Sequence, residues 1–264
     1  DHVDITFCYA GTAQGKIDLP ADNPIFSGAE WIKNEADYTL RLYLKKTGGL
    51  YGWNAEYNGD GQLVFSFLKP AQLKAAGNQY GVSLEGVKIV LDPGHGGSDP
   101  GAVGSDPRYT EAILNSTLTY KVRDRLTALG AEVTLTKNDS DRVGLDPRVR
   151  TIKSVKPDLF ISFHRNSSTS TASKGYESYY FNPFSESLSR AVYNRNAGLY
   201  LDQRGNKWGN FYVMRVSDCP AILTENGFVS NADEYSLLVT DAFNEASADA
   251  TVQGIVDYLK SIQQ

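Results

Sequence analysis

Two nearly continuous apolar runs, Val87-Lys88-Ile89-Val90-Leu91 and Leu159-Phe160-Ile161-Ser162-Phe163, constrain this chain more than anything else in it. Short runs without polar alternation fit strands buried on both faces, and such strands belong to parallel sheets covered by helices on each side. Each run leads into a histidine: His95 follows Asp92-Pro93-Gly94, and His164 directly follows Phe163. The chain has three histidines in all, the third being His2 at the terminus. A histidine where a buried strand ends stands at the rim where open α/β folds keep their ligands. Neutral imidazole is a common zinc ligand, so this pair points to a metal site.

The stretches around these runs alternate between helix and strand patterns. Thr110 to Leu129 carries Ile113, Leu114, Leu118, Val122, Leu126 and Leu129 as a helical stripe, and Gly130 closes it. Ala131–Thr136 reads as a strand, and Asp146-Pro147 as the opening of a helix with Asp as N-cap. Tyr176–Phe181, Phe211–Val216 and Ala221–Thr224 read as further strands. Phe184–Leu201 and Asp241–Ile262 read as helices. The expected fold class is therefore α/β, a mainly parallel sheet with helices on both faces.

Residues 1–84 have a different character. Tyr38-Thr39-Leu40-Arg41-Leu42-Tyr43-Leu44 alternates as a half-buried strand does. Asn58-Gly59-Asp60-Gly61 precedes Leu63-Val64-Phe65, which is hairpin chemistry. Ala71-Gln72-Leu73-Lys74-Ala75-Ala76 suggests a short helix in a linker. The expected division is a small β-rich N-terminal domain over 1–84 and a catalytic domain over 85–264.

Net charge is −5, which argues against a nucleic-acid partner because that footprint needs clustered Lys and Arg. No apolar run reaches the length of a membrane span. The two cysteines, Cys8 and Cys219, have no CxxC spacing, so a zinc finger or thioredoxin-like motif is excluded; two buried free thiols are expected, with one long-range disulfide as the alternative.

The loop Asp92-Pro93-Gly94-His95-Gly96-Gly97-Ser98-Asp99-Pro100-Gly101-Ala102 lets backbone approach a ligand closely, yet the chain lacks the phosphate-cradling G-x-x-x-x-G-K-[ST]. Glu111 opens the long helix, where a carboxylate serves the helix dipole or supplies a third ligand. Glu225 ends the run Ala221-Ile222-Leu223-Thr224, where it is either a loop acid or a general base. Asp92 is placed to hold a ligand imidazole through its second nitrogen, with Asp99 as its rival.

Together these pieces resemble the zinc-dependent N-acetylmuramoyl-L-alanine amidases, the cell-wall group of sporulation and autolysin enzymes. The matching stretches are Ile89-Val90-Leu91-Asp92-Pro93-Gly94-His95-Gly96-Gly97, Glu111, Phe160-Ile161-Ser162-Phe163-His164, Lys174-Gly175-Tyr176-Glu177-Ser178-Tyr179-Tyr180, Asn210-Phe211-Tyr212-Val213-Met214-Arg215, and Pro220-Ala221-Ile222-Leu223-Thr224-Glu225-Asn226-Gly227-Phe228-Val229-Ser230-Asn231. They cover about 87 to 261 in the family's order.

The resemblance implies that His95, Glu111 and His164 bind one zinc ion and that Glu225 is the catalytic glutamate. It implies hydrolysis of the amide between N-acetylmuramic acid and L-alanine of the stem peptide, with the zinc activating a water. The implied partners are the peptidoglycan glycan strand and stem peptide, and the implied location is the cell wall or outside the cytoplasm; an activating protein partner is not specified. A zinc carboxypeptidase acting on stem peptides and a non-catalytic wall-binding relative are the alternatives. Three positions depart from the family pattern: Arg165 where Ala is usual, Thr224 where Val is usual, and Asn226 where an apolar residue is usual. Arg165 and Asn166 are the expected substrate contacts, Arg165 meeting a peptide carboxylate or partly covering the cleft.

Overall fold

In the computed structural model, which describes every residue except Gln14, Asp139 and Gln264, residues Asp1–Tyr51 and Gly52–Gln264 form separate compact units. The first holds β1 (His2–Phe7), β2 (Phe26–Asn34) and β3 (Asp37–Leu44) in one antiparallel sheet, with β3 central. The period-two pattern read in β3 buries Leu42, and Arg41 reaches across to Asp4 with two hydrogen bonds of 2.8 Å from directly opposite in the register.

The second unit begins with the hairpin β4 (Trp53–Tyr57) and β5 (Leu63–Phe67). Its turn is held by the Asn58 side chain, which accepts from the Asp60 and Gln62 amides, while Gly61 takes φ +74°. The Trp53 amide donates to Ser217 O at 2.7 Å, so the hairpin belongs with the α/β unit. The division at Tyr51/Gly52 thus falls earlier than the change of pattern near residue 84. A short antiparallel pair, β6 (Lys74–Ala75) and β7 (Val82–Ser83), stands where a short helix was expected. The turn closed by Asn78 and Gly81 brings these few residues together before one helical turn could form.

There follow β8 (Lys88–Pro93), α1 (Glu111–Ala128), β9 (Glu132–Leu135), α2 (Leu145–Val155), β10 (Leu159–Asn166), β11 (Tyr176–Tyr180), α3 (Glu186–Asn196), β12 (Gln203–Trp208), β13 (Ala221–Phe228), α4 (Ala232–Leu238) and α5 (Asp241–Ser261). The sheet order is β12-β11-β13-β10-β8-β9. Strands β9, β8, β10 and β13 are parallel; β11 runs antiparallel to β13 and carries β12 parallel to itself. Ile89, Leu91, Ile161 and Phe163 pack with Leu118 and Val122 of α1 and Val252 and Ile255 of α5. Val90, Phe160 and Leu223 point the other way, to Ile152 of α2 and Val213 and Met214. The mainly parallel, doubly covered sheet is therefore as the apolar runs require.

Three local readings change. Residues Tyr212–Met214 form a 3₁₀ turn rather than part of a strand, since they cap one face of the sheet instead of joining it. Strand β12, QRGNKW, has no apolar run because it lies at an edge, and it left no strand pattern to read. Helix α2 starts at Leu145 with Gly144 as its N-cap, and Asp146 instead accepts a hydrogen bond from the Tyr212 hydroxyl. Both cysteines are free, but only Cys219 is buried; Cys8 is exposed in the turn after β1.

Candidate active site

Strand ends converge on the site because β8 and β10 are parallel neighbours and stop at the same rim. His95 follows β8 in a left-handed conformation, φ +61°, and the next two residues, Gly96 and Gly97, also have positive φ. A non-glycine residue held there costs energy that the surrounding contacts must offset, and such strain gathers at functional sites. The His95 Nδ1 atom lies 3.0 Å from Asp99 Oδ2 and its Nε2 3.1 Å from Glu111 Oε1. His164 Nδ1 lies 3.0 Å from the same Glu111 oxygen, and the two imidazole rings meet edge-on with centroids 5.0 Å apart.

Glu111 itself is fixed from behind. Its Oε2 accepts from the Ala102 amide at 2.9 Å, and its Oε1 accepts from the Arg165 amide at 3.2 Å and from Asn115 Nδ2 at 3.4 Å. Two glycines make the closeness possible. A Cβ on Gly94 would stand 2.3 Å from the His164 ring, and one on Gly101 would stand 2.5 Å from Glu111 Oε2. Burial acts to raise the Glu111 carboxyl, yet hydrogen bonds from His164 and His95 outweigh it and hold the group well below its ordinary range. The Glu111 hydrogen bond, opposed by burial and helped by Asp99, raises His95 above the ordinary 6.5.

One ligand atom from each of His95, Glu111 and His164 lies within 4.8 Å of the others, and this group can hold a metal ion. The donor set fits zinc: two imidazole nitrogens and one carboxylate oxygen, with a side left open. Tetrahedral ligands at ~2.0–2.2 Å from a zinc ion stand ~3.3–3.6 Å apart. The carboxylate-to-imidazole separations of 3.0 and 3.1 Å are close to that.

Glu225 arrives by register. It sits opposite His164 on β10 and opposite Glu177 on β11, so all three side chains project from one face of the sheet. Its Oε2 is closed off from solvent and has no hydrogen-bond partner. Burial, then the nearby Glu111 and Glu177 carboxylates, push its pKa well above the ordinary value, with Arg165 opposing. His95, His164 and Glu225 share a cavity of about 310 Å³ with Arg142, Phe211 and Tyr212.

Two expected roles are corrected. Asp92 touches neither imidazole; it accepts from Thr136, Arg148 and Ser162, and Asp99 holds His95 instead. Asp92 is the fifth residue of its strand and lies inside the sheet, three residues before His95. Its effect passes through Arg148, which donates to Pro93 O and His95 O at 2.9 Å each. Arg165 does not face the cleft: its side chain is buried and donates to Leu114 O and Asn244 Oδ1 at 3.4 and 3.2 Å. Strand alternation sends it to the side opposite His164, toward α1 and α5. Thr224 and Asn226 face that same side, where Asn226 Nδ2 donates to Thr224 Oγ1 at 2.8 Å and to His164 O at 3.1 Å. The three departures from the family pattern are thus buried behind the sheet.

Asn166 is half-buried and donates to Glu177 Oε2 at 2.9 Å. Glu177, Arg148 and Asn115 are site residues that the sequence reading assigned no role. For Glu177 the only signal was its place in the stretch from Lys174 to Tyr180; Arg148 and Asn115 left none.

The profile of N-acetylmuramoyl-L-alanine amidases matches residues 89–257. The N-acetylmuramoyl-L-alanine amidase LytC of Bacillus subtilis (strain 168) is 31% identical over 196 residues, 72% of this chain and 39% of that protein. The probable cell wall amidase LytH of Staphylococcus epidermidis (strain ATCC 12228 / FDA PCI 1200) is 34% identical over 183 residues, 67% of this chain and 60% of its own length. This chain therefore spans less than two thirds of either relative. Among solved structures, the catalytic domain of the amidase CwlV from Bacillus (Paenibacillus) polymyxa var. colistinus superposes with a TM-score of 0.63 at 36% identity. That match covers 66% of this chain and 98% of the other.

Proposed function

The chain belongs to the N-acetylmuramoyl-L-alanine amidase family, and from that membership we propose that it hydrolyses the amide joining N-acetylmuramic acid to L-alanine of the peptidoglycan stem peptide. The observation that carries the reading is the meeting of His95 Nε2 and His164 Nδ1 on Glu111 Oε1, with both imidazoles lining one cavity with Glu225, whose Oε2 has no hydrogen-bond partner. We assign residues 85–264 as the catalytic portion and the cell wall, outside the cytoplasm, as the place of action.

His95, Glu111 and His164 would hold one zinc ion, which when bound supplies Lewis acidity for the scissile carbonyl and its attacking water. Asp99 keeps the proton of His95 on Nδ1 and so leaves Nε2 as the ligand atom. Glu225 takes the proton of the attacking water on its carboxylate and returns it to the leaving amine nitrogen. Its raised pKa suits both halves of that task, because a carboxylate far below neutrality would be a weak base. A binding-only relative has no use for an acid in the cavity whose Oε2 is closed off and without a partner.

Digestion of purified peptidoglycan by the zinc-loaded protein is expected to release intact stem peptides with a free N-terminal L-alanine, identified by mass spectrometry. Trimmed peptides, or no cleavage with zinc present, would overturn the reading.

Zinc affinity is expected to depend on pH. The metal needs neutral imidazole, and in the metal-free protein His95 holds its proton above the ordinary 6.5. Apparent affinity should be full above that raised value and fall as the pH drops through it, the decline starting above pH 6.5. Glu111 stays ionised throughout, since its pKa is shifted the other way. Competition with a chromophoric chelator from pH 8.5 to 6 checks this; a flat affinity over that range would contradict it.

A further inference from the structure

We propose that Arg204 and Lys207, on β12, form a subsite for a carboxylate on the second residue of the stem peptide; this rests on the amidase reading. The two cations are organised by a buried acid. Glu177 Oε1 accepts from Arg204 Nε at 2.6 Å and from Lys207 Nζ at 2.8 Å. Its Oε2 accepts from Asn166 Nδ2 at 2.9 Å and from the Tyr179 hydroxyl at 2.8 Å. Both oxygens are thereby satisfied, and the Glu177 side chain is 3% exposed.

The cations are not used up by this arrangement. A guanidinium offers five donors and an ammonium three. Arg204 bonds to Glu177 through Nε alone, and Lys207 gives one donor to it. Their side chains are 34% and 39% exposed, so the remaining donors reach solvent. Ring faces hold both in place: the Arg204 guanidinium lies 4.9 Å from the Phe228 centroid and Lys207 Nζ 6.0 Å from that of Tyr179. Asp202 is the other acid within electrostatic reach of Arg204, and its carboxylate accepts from the Gln203 amide. Two fixed cations with spare donors form a ready site for planar carboxylate, since little side-chain entropy is left to lose.

The register gives its distance from the chemistry. His164, Glu225 and Glu177 lie side by side on successive strands, on one face. Two strand spacings, about 10 Å, separate His164 from Glu177, and Arg204 and Lys207 reach back to Glu177 from the next strand. An extended peptide advances about 3.3–3.6 Å per residue, so the second stem residue with its carboxyl arm covers that span from the scissile carbonyl. The occupant is therefore an acid of the substrate itself.

The test uses the zinc-loaded full chain and soluble peptidoglycan fragments whose second stem residue is either the free acid or its carboxamide. The free acid should be preferred about tenfold in kcat/KM, mostly through KM, as expected for charge-assisted hydrogen bonds. In the double variant Arg204→Gln/Lys207→Gln the ratio should fall to within about twofold. Each ratio is measured within one protein, so partial misfolding of a variant cancels. Equal use of acid and amide by the unmodified protein overturns the subsite and leaves the amidase reading standing, as does a preference that survives the double substitution. Cleavage of neither fragment overturns the amidase reading.

Discussion

Glu225→Ala is expected to lower peptidoglycan turnover by about 10²–10⁴-fold, the range for loss of a positioned general acid–base, while zinc stoichiometry stays at one. The two readouts separate because Glu225 lies outside the group that can hold the metal: His95, Glu111 and His164 converge without it. Its Oε2 is closed off and without a hydrogen-bond partner, and its pKa is pushed upward by burial and by Glu111 and Glu177. Removing it relieves an unfavourable burial, so the metal-free variant should unfold no more easily than the parent. Elemental analysis beside product release checks the pair of outcomes. Loss of zinc in Glu225→Ala would show that the glutamate is a ligand, and retained turnover would remove it from the proton path.

Asp92→Ala is expected to destabilise the protein by about 3–5 kcal/mol, the cost of stranding a buried charge. Asp92 and Arg148 are 1% and 4% exposed and pair directly. Without the carboxylate, Arg148 keeps only carbonyl acceptors at Pro93, Val143 and His95, and the Ser162 hydroxyl loses its 2.6 Å acceptor. Urea unfolding of the metal-free protein, followed by near-UV circular dichroism, reads this. A loss below about 1 kcal/mol would mean that Arg148 finds solvent or another acid. Because Arg148 also holds His95 O, zinc affinity should weaken in the same variant. Arg148→Met, which removes the partner charge as well, should recover part of the stability when combined with Asp92→Ala.

The legible parts of this molecule were those where one physical demand dominates a short stretch. Ile89-Val90-Leu91 and Phe160-Ile161 had to be central strands because both faces are buried, and the structure pairs them as parallel neighbours. The grouping of His95, Glu111 and His164 was named from the family pattern, since their spacing along the chain says little about their meeting in space. Arg165 was misread for want of parity: counted from Phe163, it shares the core-facing side, and only His164 faces the cavity. Strand β12 was illegible because an edge strand can be polar throughout. Glu177 was unremarked because its importance lies in four partners that come from three separate elements. The exposure of Cys8 likewise follows from where β1 stops, which its sequence does not mark.

The alternation along β10 has a wider consequence. On one face Phe160 packs toward α2, Ser162 donates to Asp92 and His164 reaches the cavity, while Ile161, Phe163 and Arg165 look into the packed interior against α1 and α5. The cavity and the interior thus share a wall one residue thick. Drift in the hidden layer can tilt the imidazole through that wall without changing a single group that meets substrate. Asn226, which donates to the His164 carbonyl from behind, ties the hidden layer to the strand that carries the imidazole. Related chains can therefore retune one reaction from the rear of the sheet, leaving the visible site alike.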